Sequence, residues 1–260
     1  MSPLYSTHDL AVGYKNGKKN TILLSGLNLT LDAGRFVALL GQNGAGKSTL
    51  LKALSCATQP MAGEVMLNGK NVAHISLRNR SRMIGLVSTD AIQAGALTVA
   101  ELVALGRQPY TGVLGRLDDH DHDIVARAIA DVGITAKTHN YVAQLSDGER
   151  QKAMIARALA QCTPIIILDE PTAFLDAASR IETMQLLASL ACDQHKAILL
   201  STHDISRSLL LTHELWLITR ERKVVAGPTA TMVHSEVMNE VFNSPGITFN
   251  PNHCDYEASE

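Results

Sequence analysis

Short, continuous apolar runs recur along the chain and alternate with stretches of helical pattern. Phe36 to Leu40, Ile165 to Leu168 and Ala197 to Leu200 are such runs, and each predicts a strand that is buried on both faces. A helix is predicted around Ile181 to Ala191, between the last two runs. Because strands joined through helices lie parallel with right-handed crossovers, the pattern predicts an α/β core.

The N-terminal part has a different pattern, in which short strands follow one another. Leu10 to Tyr14 and Thr21 to Leu24 flank the turn signal Asn16-Gly17, which predicts a hairpin. The apolar residues of Leu27 to Leu31 alternate with polar ones, as in a half-buried strand, and Gly63 to Gly69 has the pattern of another short strand. We therefore expect an antiparallel layer beside the first buried strand.

Residues 90–147 have a helical pattern. Thr98 to Glu101 form a capping box before an apolar stripe, and Ile124 to Val132 are amphipathic at helical spacing. We therefore predict a helical subdomain, inserted between two parts of the core at residues 1–89 and 148–243.

The C-terminal part returns to strands and ends in a polar tail. Leu215 to Ile218 and Lys223 to Val225 predict a weak hairpin, and Thr229 to Phe242 predict a helix. Residues 244–260 contain Pro, Asn and acidic residues, so we expect a loosely ordered tail. On this interpretation residues 1–243 form a single domain.

Composition excludes several classes of function. The 260 residues carry a formal net charge of −2, which gives no electrostatic reason to expect nucleic acid as a partner. No apolar run approaches the roughly 20 residues of a membrane helix, and the N-terminus lacks the features of a signal peptide. The four cysteines are scattered, as in a cytosolic protein with reduced thiols. Any role at a membrane would therefore require a partner.

A glycine-rich loop follows the first buried strand. The pattern Gly41-x-x-x-x-Gly46-Lys47-Ser48 lies between that strand and a helix that continues to Leu54. In such a loop, backbone N–H groups and the helix N-terminus face an anion, the lysine adds a charge and the serine hydroxyl can bind Mg²⁺. A plain turn before a core helix is the alternative. The order of strand, loop and helix favours a site for a nucleoside triphosphate.

Two carboxylates end the second buried strand. Asp169 and Glu170 directly follow Ile165 to Leu168, at the edge where ligands bind to parallel sheets. Asp169 is suited to orienting Mg²⁺ and Glu170 to polarising an attacking water. An ordinary acidic turn is the alternative, and the glycine-rich loop makes it the weaker one.

A second candidate anion site precedes the helix that contains Met154 and Leu159. Ser146 and the N–H groups after it lie at a helix start, where anions bind. The alternative is a serine N-cap that forms a capping box with Glu149. The local sequence alone favours the cap.

Over nearly its whole length the chain resembles the ATP-binding subunit of an ABC (ATP-binding cassette) transporter. The resemblance implies a P-loop NTPase core with an antiparallel β subdomain and an inserted helical subdomain. It rests on segments similar to Walker A (Gly41 to Thr49), the signature (Leu145 to Glu149), Walker B (Ile165 to Glu170), the D-loop (Ala173 to Asp176) and the switch-histidine loop (Ser201 to Asp204).

The family's mechanism implies roles for these residues. Two cassettes sandwich two ATP molecules, with Glu170 as the general base and His203 as a ligand of the γ-phosphate. Tyr14 stands where the family stacks an aromatic ring on adenine, and Ser48 and Asp169 where it binds Mg²⁺. The remaining ATP ligands would be Gly41, Asn43, Gly44, Ala45, Gly46, Lys47, Ser48 and Thr49 of one copy and Ser146, Asp147, Gly148 and Asp176 of the other.

The resemblance also implies partners. A second copy of the chain would complete the ATP sandwich, and closure would drive two transmembrane permease subunits, which a substrate-binding protein serves in turn. The chain would then be peripheral, on the cytoplasmic face of the inner (plasma) membrane. A soluble ABC ATPase with a scaffold or regulatory role, in cluster assembly or DNA maintenance, is the alternative. The sequence has no coiled-coil heptads, second cassette or basic surface to favour it.

Two positions depart from the family pattern. Thr89 stands where the Q-loop usually has glutamine, and its shorter side chain could touch Mg²⁺ or water but cannot reach as far as an amide. Gln93 could replace the glutamine if the loop bends differently. Asp147 replaces the first glycine of the signature and brings a carboxylate towards the phosphates.

The segment Leu102 to Tyr110 resembles the helical subdomain of importers for iron–siderophore complexes, haem and cobalamin. The alternative is a helix that ends with a Gly-Arg-x-Pro stop and has no further role. Asp118 to Asp123 combine carboxylates with imidazoles, so they could bind a metal, but we expect a solvated acidic first turn of the helix beginning near Ile124. We expect His253 to Asp255 to lie at the surface as well.

Overall fold

The computed structural model describes residues 3–16, 19–88, 96–112, 115–173, 175–242, 247–251 and 255–258. The strands in these ranges are β1 (Tyr5–Asn16), β2 (Lys19–Leu27), β3 (Thr30–Leu31), β4 (Phe36–Gly41), β5 (Ala62–Leu67), β6 (Lys70–Asn71), β7 (Ile84–Val87), β8 (Ile165–Asp169), β9 (Ala197–Ser201), β10 (Glu214–Ile218), β11 (Val224–Pro228), β12 (Ile247–Asn250) and β13 (Asp255–Ala258).

The helices in the same ranges surround the sheets. They are α1 (Lys47–Leu54), α2 (Leu77–Ser81), α3 (Val99–Ala104), α4 (Asp119–Asp131), α5 (Asp147–Ala160), α6 (Ala177–Gln194), α7 (Ile205–Leu211), α8 (Thr229–Met232) and α9 (Glu236–Phe242). No helix in the described parts of the chain combines the length and the apolar character needed to cross a membrane.

A six-stranded sheet in the order β11-β10-β4-β9-β8-β7 forms the centre of the fold. Its strands from β10 to β7 are parallel, and β11 pairs antiparallel at one edge. Alternate residues of β8 and β9 enter opposite apolar clusters, with Ile166 and Leu200 on one face and Ile167 and Leu199 on the other. Burial on both faces explains why these strands have continuous apolar sequences.

An antiparallel sheet in the order β2-β1-β5-β6, with β3 paired to β1, forms the predicted N-terminal layer. The predicted strand Leu27 to Leu31 is wrong as a single element, because β2 ends at Leu27 and β3 begins at Thr30. The Thr7 hydroxyl donates to Leu27 O and accepts from Leu29 N–H, both at 2.9 Å. The Thr7 side chain thus supplements the backbone bond from Thr7 N–H to Leu29 O between the two strands, and Leu27, Leu29 and Leu31 are all buried as expected.

Helices α3 and α4 pack on α5 around one apolar cluster. The predicted capping box of α3 is confirmed, since Thr98 and Glu101 bond reciprocally. Helix α4 begins at Asp119 instead of near Ile124, because Asp118 caps it and forms a second capping box with Asp121.

A cluster centred on Arg107 joins α3 to α4 and α5. The buried guanidinium donates from Nε to Asp121 Oδ1 at 2.7 Å and from Nη1 to Ala160 O at 2.8 Å. It also lies 4.0 Å from the centroid of the Tyr110 ring. A Cβ added to Gly106 would lie 2.2 Å from Arg157 O, so only glycine permits this approach. We call Arg107, Tyr110 and Asp121 the Arg107 cluster.

The Arg107 cluster disfavours one alternative and corrects one expectation. The alternative that the Gly-Arg-x-Pro segment is only a helix stop is disfavoured, because Arg107 also fixes the helical region to α5. The run Asp118 to Asp123 is not wholly solvated either, since Asp121 is only 6% exposed. In the residues that the structure describes, no three histidine, cysteine or acidic side chains are grouped so that they could hold a metal ion. His253 and Cys254 lie outside the described residues.

The C-terminal part also differs from expectation. The single helix predicted for Thr229 to Phe242 is two helices, α8 and α9, separated by a turn at residues 233–235. Ser235 Oγ donates to Met232 O at 2.6 Å, a local bond that competes with helix continuation. The tail, predicted to be loosely ordered, contains the β12–β13 hairpin, and Phe249 is buried in the apolar cluster beneath α9.

Candidate active site

The glycine-rich loop connects β4 to α1 with a backbone that requires glycine at its end. Gly46 has φ 106° and caps α1 without a side-chain hydrogen bond, and L-amino acids other than glycine rarely adopt such an angle. The bond from Leu50 N–H to Gly46 O closes the first helical turn. The N–H groups of Lys47, Ser48 and Thr49 therefore lie before that turn and face the loop. Donors arranged in this way bind anions.

Lys47 folds back into the loop that precedes it. Its Nζ donates to Gly41 O at 2.9 Å and to Gln42 O at 3.3 Å, and the residue is only 5% exposed. Burial lowers the pKa of the Lys47 ammonium, and the nearby carboxylates of Glu170 and Asp169 partly oppose that shift. The loop thus holds a desolvated cation close to its anion-binding N–H groups.

A hydroxyl and a carboxylate meet where α1 passes the end of β8. Ser48 Oγ donates to Asp169 Oδ1 at 3.1 Å, and Asp169 is buried. Oxygen ligands of this kind suit Mg²⁺, which binds one or two carboxylates together with phosphate oxygens and waters. The residues present therefore fit the predicted metal. Thr89 and Gln93 lie outside the described residues.

Ser201 contacts Asp169 and Glu170, and sequence reasoning missed it. Its Oγ donates to Asp169 Oδ1 at 2.7 Å and accepts from Glu170 N–H at 3.0 Å. The contact arises because β8 and β9 are paired with Asp169 opposite Ser201. The signal in the sequence was the polar residue that ends the apolar run Ala197 to Leu200, just as Asp169 ends the run before it.

The side chains of Glu170 and His203 are in hydrogen-bonding contact at the mouth of the site. His203 Nε2 lies 2.8 Å from Glu170 Oε1, with the two side chains 47% and 28% exposed. Glu170 has φ 47°, a left-handed conformation that residues other than glycine seldom adopt. Both residues line a cavity of about 600 Å³ together with Asn43, Thr172, Arg180 and Arg207.

Tyr14 lies on a different part of the chain, on β1. It is paired with Thr21 across the hairpin, and 52% of its surface is exposed. The ring is thus accessible for stacking against a flat ligand.

The signature residues make local contacts at the start of α5. Ser146 caps this helix, and Glu149 completes the capping box, as the local alternative predicted. Asp147 Oδ1 lies 2.8 Å from Arg150 Nη1, so its carboxylate is drawn towards its own helix. A Cβ added to Gly148 would lie 2.9 Å from Ser179 Oγ, which shows how closely the signature approaches α6.

Asp176 caps α6 on the other side of that contact. Its Oδ1 accepts from Ser179 N–H at 2.8 Å, and hydrogen bonds from Ser179 lower the pKa of the Asp176 carboxyl. Gly148 and Asp176 thus meet at the same residue, Ser179. The ion pair of Lys152 with Glu182, at 2.7 Å, further joins α5 to α6. The structure therefore brings the signature and the D-loop of one chain together.

Comparison with known sequences identifies the family. The ABC transporter family profile matches residues 24–173. An uncharacterized ABC transporter ATP-binding protein of Methanocaldococcus jannaschii is 37% identical over 92% of this chain and 81% of its own length. The iron(3+)-hydroxamate import ATP-binding protein FhuC of Bacillus subtilis is 33% identical over 91% of this chain and 87% of its own length.

Solved structures are similar over most of the chain. An inward-facing ABC transporter assigned to the metal-chelate type has a TM-score of 0.80 and 28% identity, covering 92% of this chain and 89% of its own. A dimeric ATP-binding cassette in a post-hydrolysis state, bound to ADP and Pi, has a TM-score of 0.73 and 27% identity, covering 86% of this chain and 98% of its own. Together with the sequence matches, these show that the chain belongs to the ABC transporter family and is an ATP-binding, ATP-hydrolysing subunit.

Proposed function

We propose that this chain powers an importer of metal chelates, of the iron–siderophore, haem or cobalamin class. The contact between Glu170 and His203, beside the buried Lys47, is the observation that carries the hydrolytic chemistry. The import of chelates is supported by FhuC, whose name states import of iron(3+)-hydroxamate, and by the similar transporter of the metal-chelate type.

The site residues divide the work of hydrolysis among them. The loop Gly41 to Thr49 holds the phosphates through its N–H groups and Lys47, while Tyr14 stacks on adenine. Ser48 and Asp169 hold Mg²⁺, with Thr89 as a weaker candidate. The ion, when bound, neutralises charge that develops on the phosphate oxygens.

Glu170 acts as the general base on the attacking water. The carboxylate lies 2.8 Å from His203 Nε2, and this contact orients it at the mouth of the site. His203 is then placed to turn towards the γ-phosphate when ATP enters. When His203 turns away, the Glu170 carboxylate loses this contact and can accept a proton from the attacking water, so that ATP binding activates the base.

A second copy of the chain completes each site. Ser146, Asp147, Gly148 and Asp176 form one patch through Ser179, and the exposed Ser146 and Asp147 can face another molecule. The similarity to a dimeric cassette supports this arrangement. We propose a single ATPase domain at residues 1–243, with its helical subdomain at 90–147.

The permease and a substrate-binding protein are the further proposed partners. Through the permease the chain would lie peripherally on the cytoplasmic face of the plasma membrane. The energy of ATP-driven closure would pass to two transmembrane subunits, as in a conformational cycle gated by ligand binding.

Co-purification tests the proposed importer. The tagged chain is solubilised with its native membrane, and its partners are identified by mass spectrometry. A polytopic permease is expected, and reconstitution with its binding protein should give ATPase activity that a ferric hydroxamate stimulates. Recovery with cofactor-assembly proteins and without a permease would refute the importer.

The composite site has its own test. In a Glu170→Gln background, Lys47→Ala and Ser146→Arg chains should each trap little ATP when pure. A mixed dimer regains one intact site, because the unchanged loop of the Ser146→Arg copy meets the unchanged signature of the Lys47→Ala copy. Mixing should therefore restore trapping to roughly one ATP per mixed dimer, measured with radiolabelled ATP on a desalting column. An unchanged mixture would contradict a site shared between copies.

A further inference from the structure

We propose that Ser201 is a positioning residue that sets both acidic side chains of the site. The inference rests on the proposed roles of Asp169 as a metal ligand and Glu170 as the general base. It assigns to one hydroxyl the task of holding these two groups in a fixed relation to each other.

Ser201 is placed for this task by the pairing of β8 and β9. It is the last residue of β9, is fully buried and stands opposite Asp169. A hydroxyl has one proton and two lone pairs. The proton is committed to Asp169 Oδ1 at 2.7 Å, and the oxygen takes Glu170 N–H at 3.0 Å. The proton and one of the two lone pairs are therefore used within the site.

The Ser201 hydroxyl would keep the Asp169 carboxylate in place when Ser48, the other hydrogen-bond partner of that carboxylate, binds Mg²⁺. Oδ1 also accepts from Ser48 Oγ at 3.1 Å, and Ser48 is itself a proposed ligand of Mg²⁺. A serine oxygen that binds the ion is no longer a fixed support for the carboxylate. Ser201 has no such second task, so its bond can orient Asp169 both before and after the ion arrives.

At Glu170 the same hydroxyl stabilises an unfavourable backbone. The left-handed conformation at φ 47° is unfavourable for a residue other than glycine. Glu170 N–H is held there by two acceptors of Ser201, its backbone O at 3.2 Å and its Oγ at 3.0 Å. This turn directs the carboxylate to His203. Ser201 thereby links the position of the base to that of the metal ligand.

The alternative is a buried serine that merely satisfies its own hydrogen bonds. The two interpretations differ in what Ser201→Ala removes. The backbone O remains for Glu170 N–H after the substitution, so the strand pairing survives. Asp169, however, loses its 2.7 Å donor. A purely structural serine would change only stability, whereas a positioning serine changes metal affinity and turnover.

The test measures Mn²⁺ binding to the ADP-bound chain by electron paramagnetic resonance, ADP affinity in EDTA, and kcat. We expect Ser201→Ala to lower Mn²⁺ affinity and kcat each by about tenfold, since partners behind metal ligands typically contribute 10- to 100-fold. ADP affinity in EDTA should stay within about twofold. Ser201→Thr keeps the hydroxyl on a side chain that strands accept and should restore both quantities to within about threefold.

Ser208→Ala is the matched control. Ser208 is equally buried, and its hydroxyl donates to Asp204 O at 2.7 Å within α7. Its loss should alter stability but neither Mn²⁺ affinity nor kcat. If Ser201→Ala behaves like Ser208→Ala, the positioning role is overturned. If Ser201→Ala does not fold, Ser201→Cys replaces it in the test. Its thiol is a weak donor, so its Mn²⁺ affinity should lie between those of the wild type and a variant without a donor. A Mn²⁺ affinity equal to that of the wild type in Ser201→Cys would also overturn the positioning role.

Asp169→Asn separates this inference from the proposed function. If Asp169→Asn leaves Mn²⁺ affinity unchanged, the proposed metal site is wrong and the inference fails with it. If Asp169→Asn weakens Mn²⁺ binding while Ser201→Ala does not, the metal site stands and the role of Ser201 alone fails.

Discussion

Two buried cations in this molecule have opposite surroundings. Lys47 and Arg107 are 5% and 4% exposed, respectively. The Arg107 guanidinium contacts the Asp121 carboxylate, the Ala160 carbonyl and the face of the Tyr110 ring. The hydrogen bonds described for the Lys47 ammonium go to the carbonyl oxygens of Gly41 and Gln42, and burial lowers its pKa.

The comparison indicates that the charge of Arg107 stabilises the fold, whereas the charge of Lys47 is available to bind a ligand. A buried charge is costly unless it is paired with excellent geometry. The Arg107 cluster supplies that pairing internally, so its contribution is complete without any ligand. Around Lys47 the carboxylates of Asp169 and Glu170 help only at a distance, and full neutralisation requires an incoming phosphate. Substitutions around Lys47 should therefore change ATP binding, whereas substitutions in the Arg107 cluster should change the free energy of unfolding.

The largest effect is expected on turnover, at the base. Glu170→Gln keeps the size of the side chain but cannot accept a proton, and general-base catalysis is typically worth about 10²- to 10⁴-fold in rate. We expect kcat to fall by that amount, ATP binding to persist and an ATP-bound dimer to accumulate on size-exclusion chromatography.

Glu64→Gln is the control for that variant. Glu64 is exposed on β5, away from the proposed site, and this substitution should leave kcat unchanged. Normal hydrolysis by Glu170→Gln would show that another group is the base.

The next effect is expected on ATP affinity, at Lys47. Lys47→Ala removes the donor that would neutralise phosphate, and hydrogen bonds to charged groups contribute about 1.5–3 kcal/mol. We expect ATP affinity, measured by isothermal titration calorimetry, to fall roughly 10- to 150-fold. The free energy of unfolding of the ATP-free chain should not decrease, because an incompletely paired buried charge is removed.

Lys70→Ala, on the exposed strand β6, is the control and should bind ATP normally. A large loss of stability in Lys47→Ala would break the comparison with Arg107, because it would mean that the fold also depends on the lysine.

A third effect is expected on stability, in the Arg107 cluster. Asp121→Asn removes the charge that faces the guanidinium, and we expect the free energy of unfolding to fall by about 2 kcal/mol at neutral pH. ATP affinity should be unchanged. Chemical denaturation of the wild type and of Asp121→Asn, monitored by circular dichroism, measures the difference in the free energy of unfolding.

The same pair predicts a dependence on pH. Burial alone would raise the pKa of Asp121, but hydrogen bonds from Arg107 and from Asp118 N–H outweigh it and lower the pKa below the ordinary value of 3.8. Because the folded pKa is below the unfolded one, the stabilisation is present above about pH 4 and is lost as the pH falls through the folded pKa. The difference in the free energy of unfolding between wild type and Asp121→Asn should therefore disappear as the pH falls through the folded pKa. Asp123→Asn, exposed on the same helix, should show no such gap at any pH.

How much the sequence revealed depended on whether the contacts were local. The loop from Gly41 to Ser48 was predictable because strand, turn and helix are consecutive, and the capping box at Thr98 because its partner is three residues away. Arg107 with Asp121 was missed since a charge run near a helix start is usually solvated. Ser201 was missed because its partner Asp169 lies on a neighbouring strand, 32 positions away.

The smallest effect separates the two parts of Tyr110 within the Arg107 cluster. Its hydroxyl donates to Gln161 O at 3.0 Å, while its ring faces Arg107 at 4.0 Å. Tyr110→Phe loses only the hydrogen bond, so we expect the free energy of unfolding to fall by about 1 kcal/mol. Tyr110→Leu also loses the cation–π contacts of the ring with Arg107 and with Arg82, the latter at 4.8 Å, and this loss adds about 0.5–1 kcal/mol or more. Equal losses in both variants would show that the ring does not stabilise the guanidinium, and Asp121 alone would then distinguish Arg107 from Lys47.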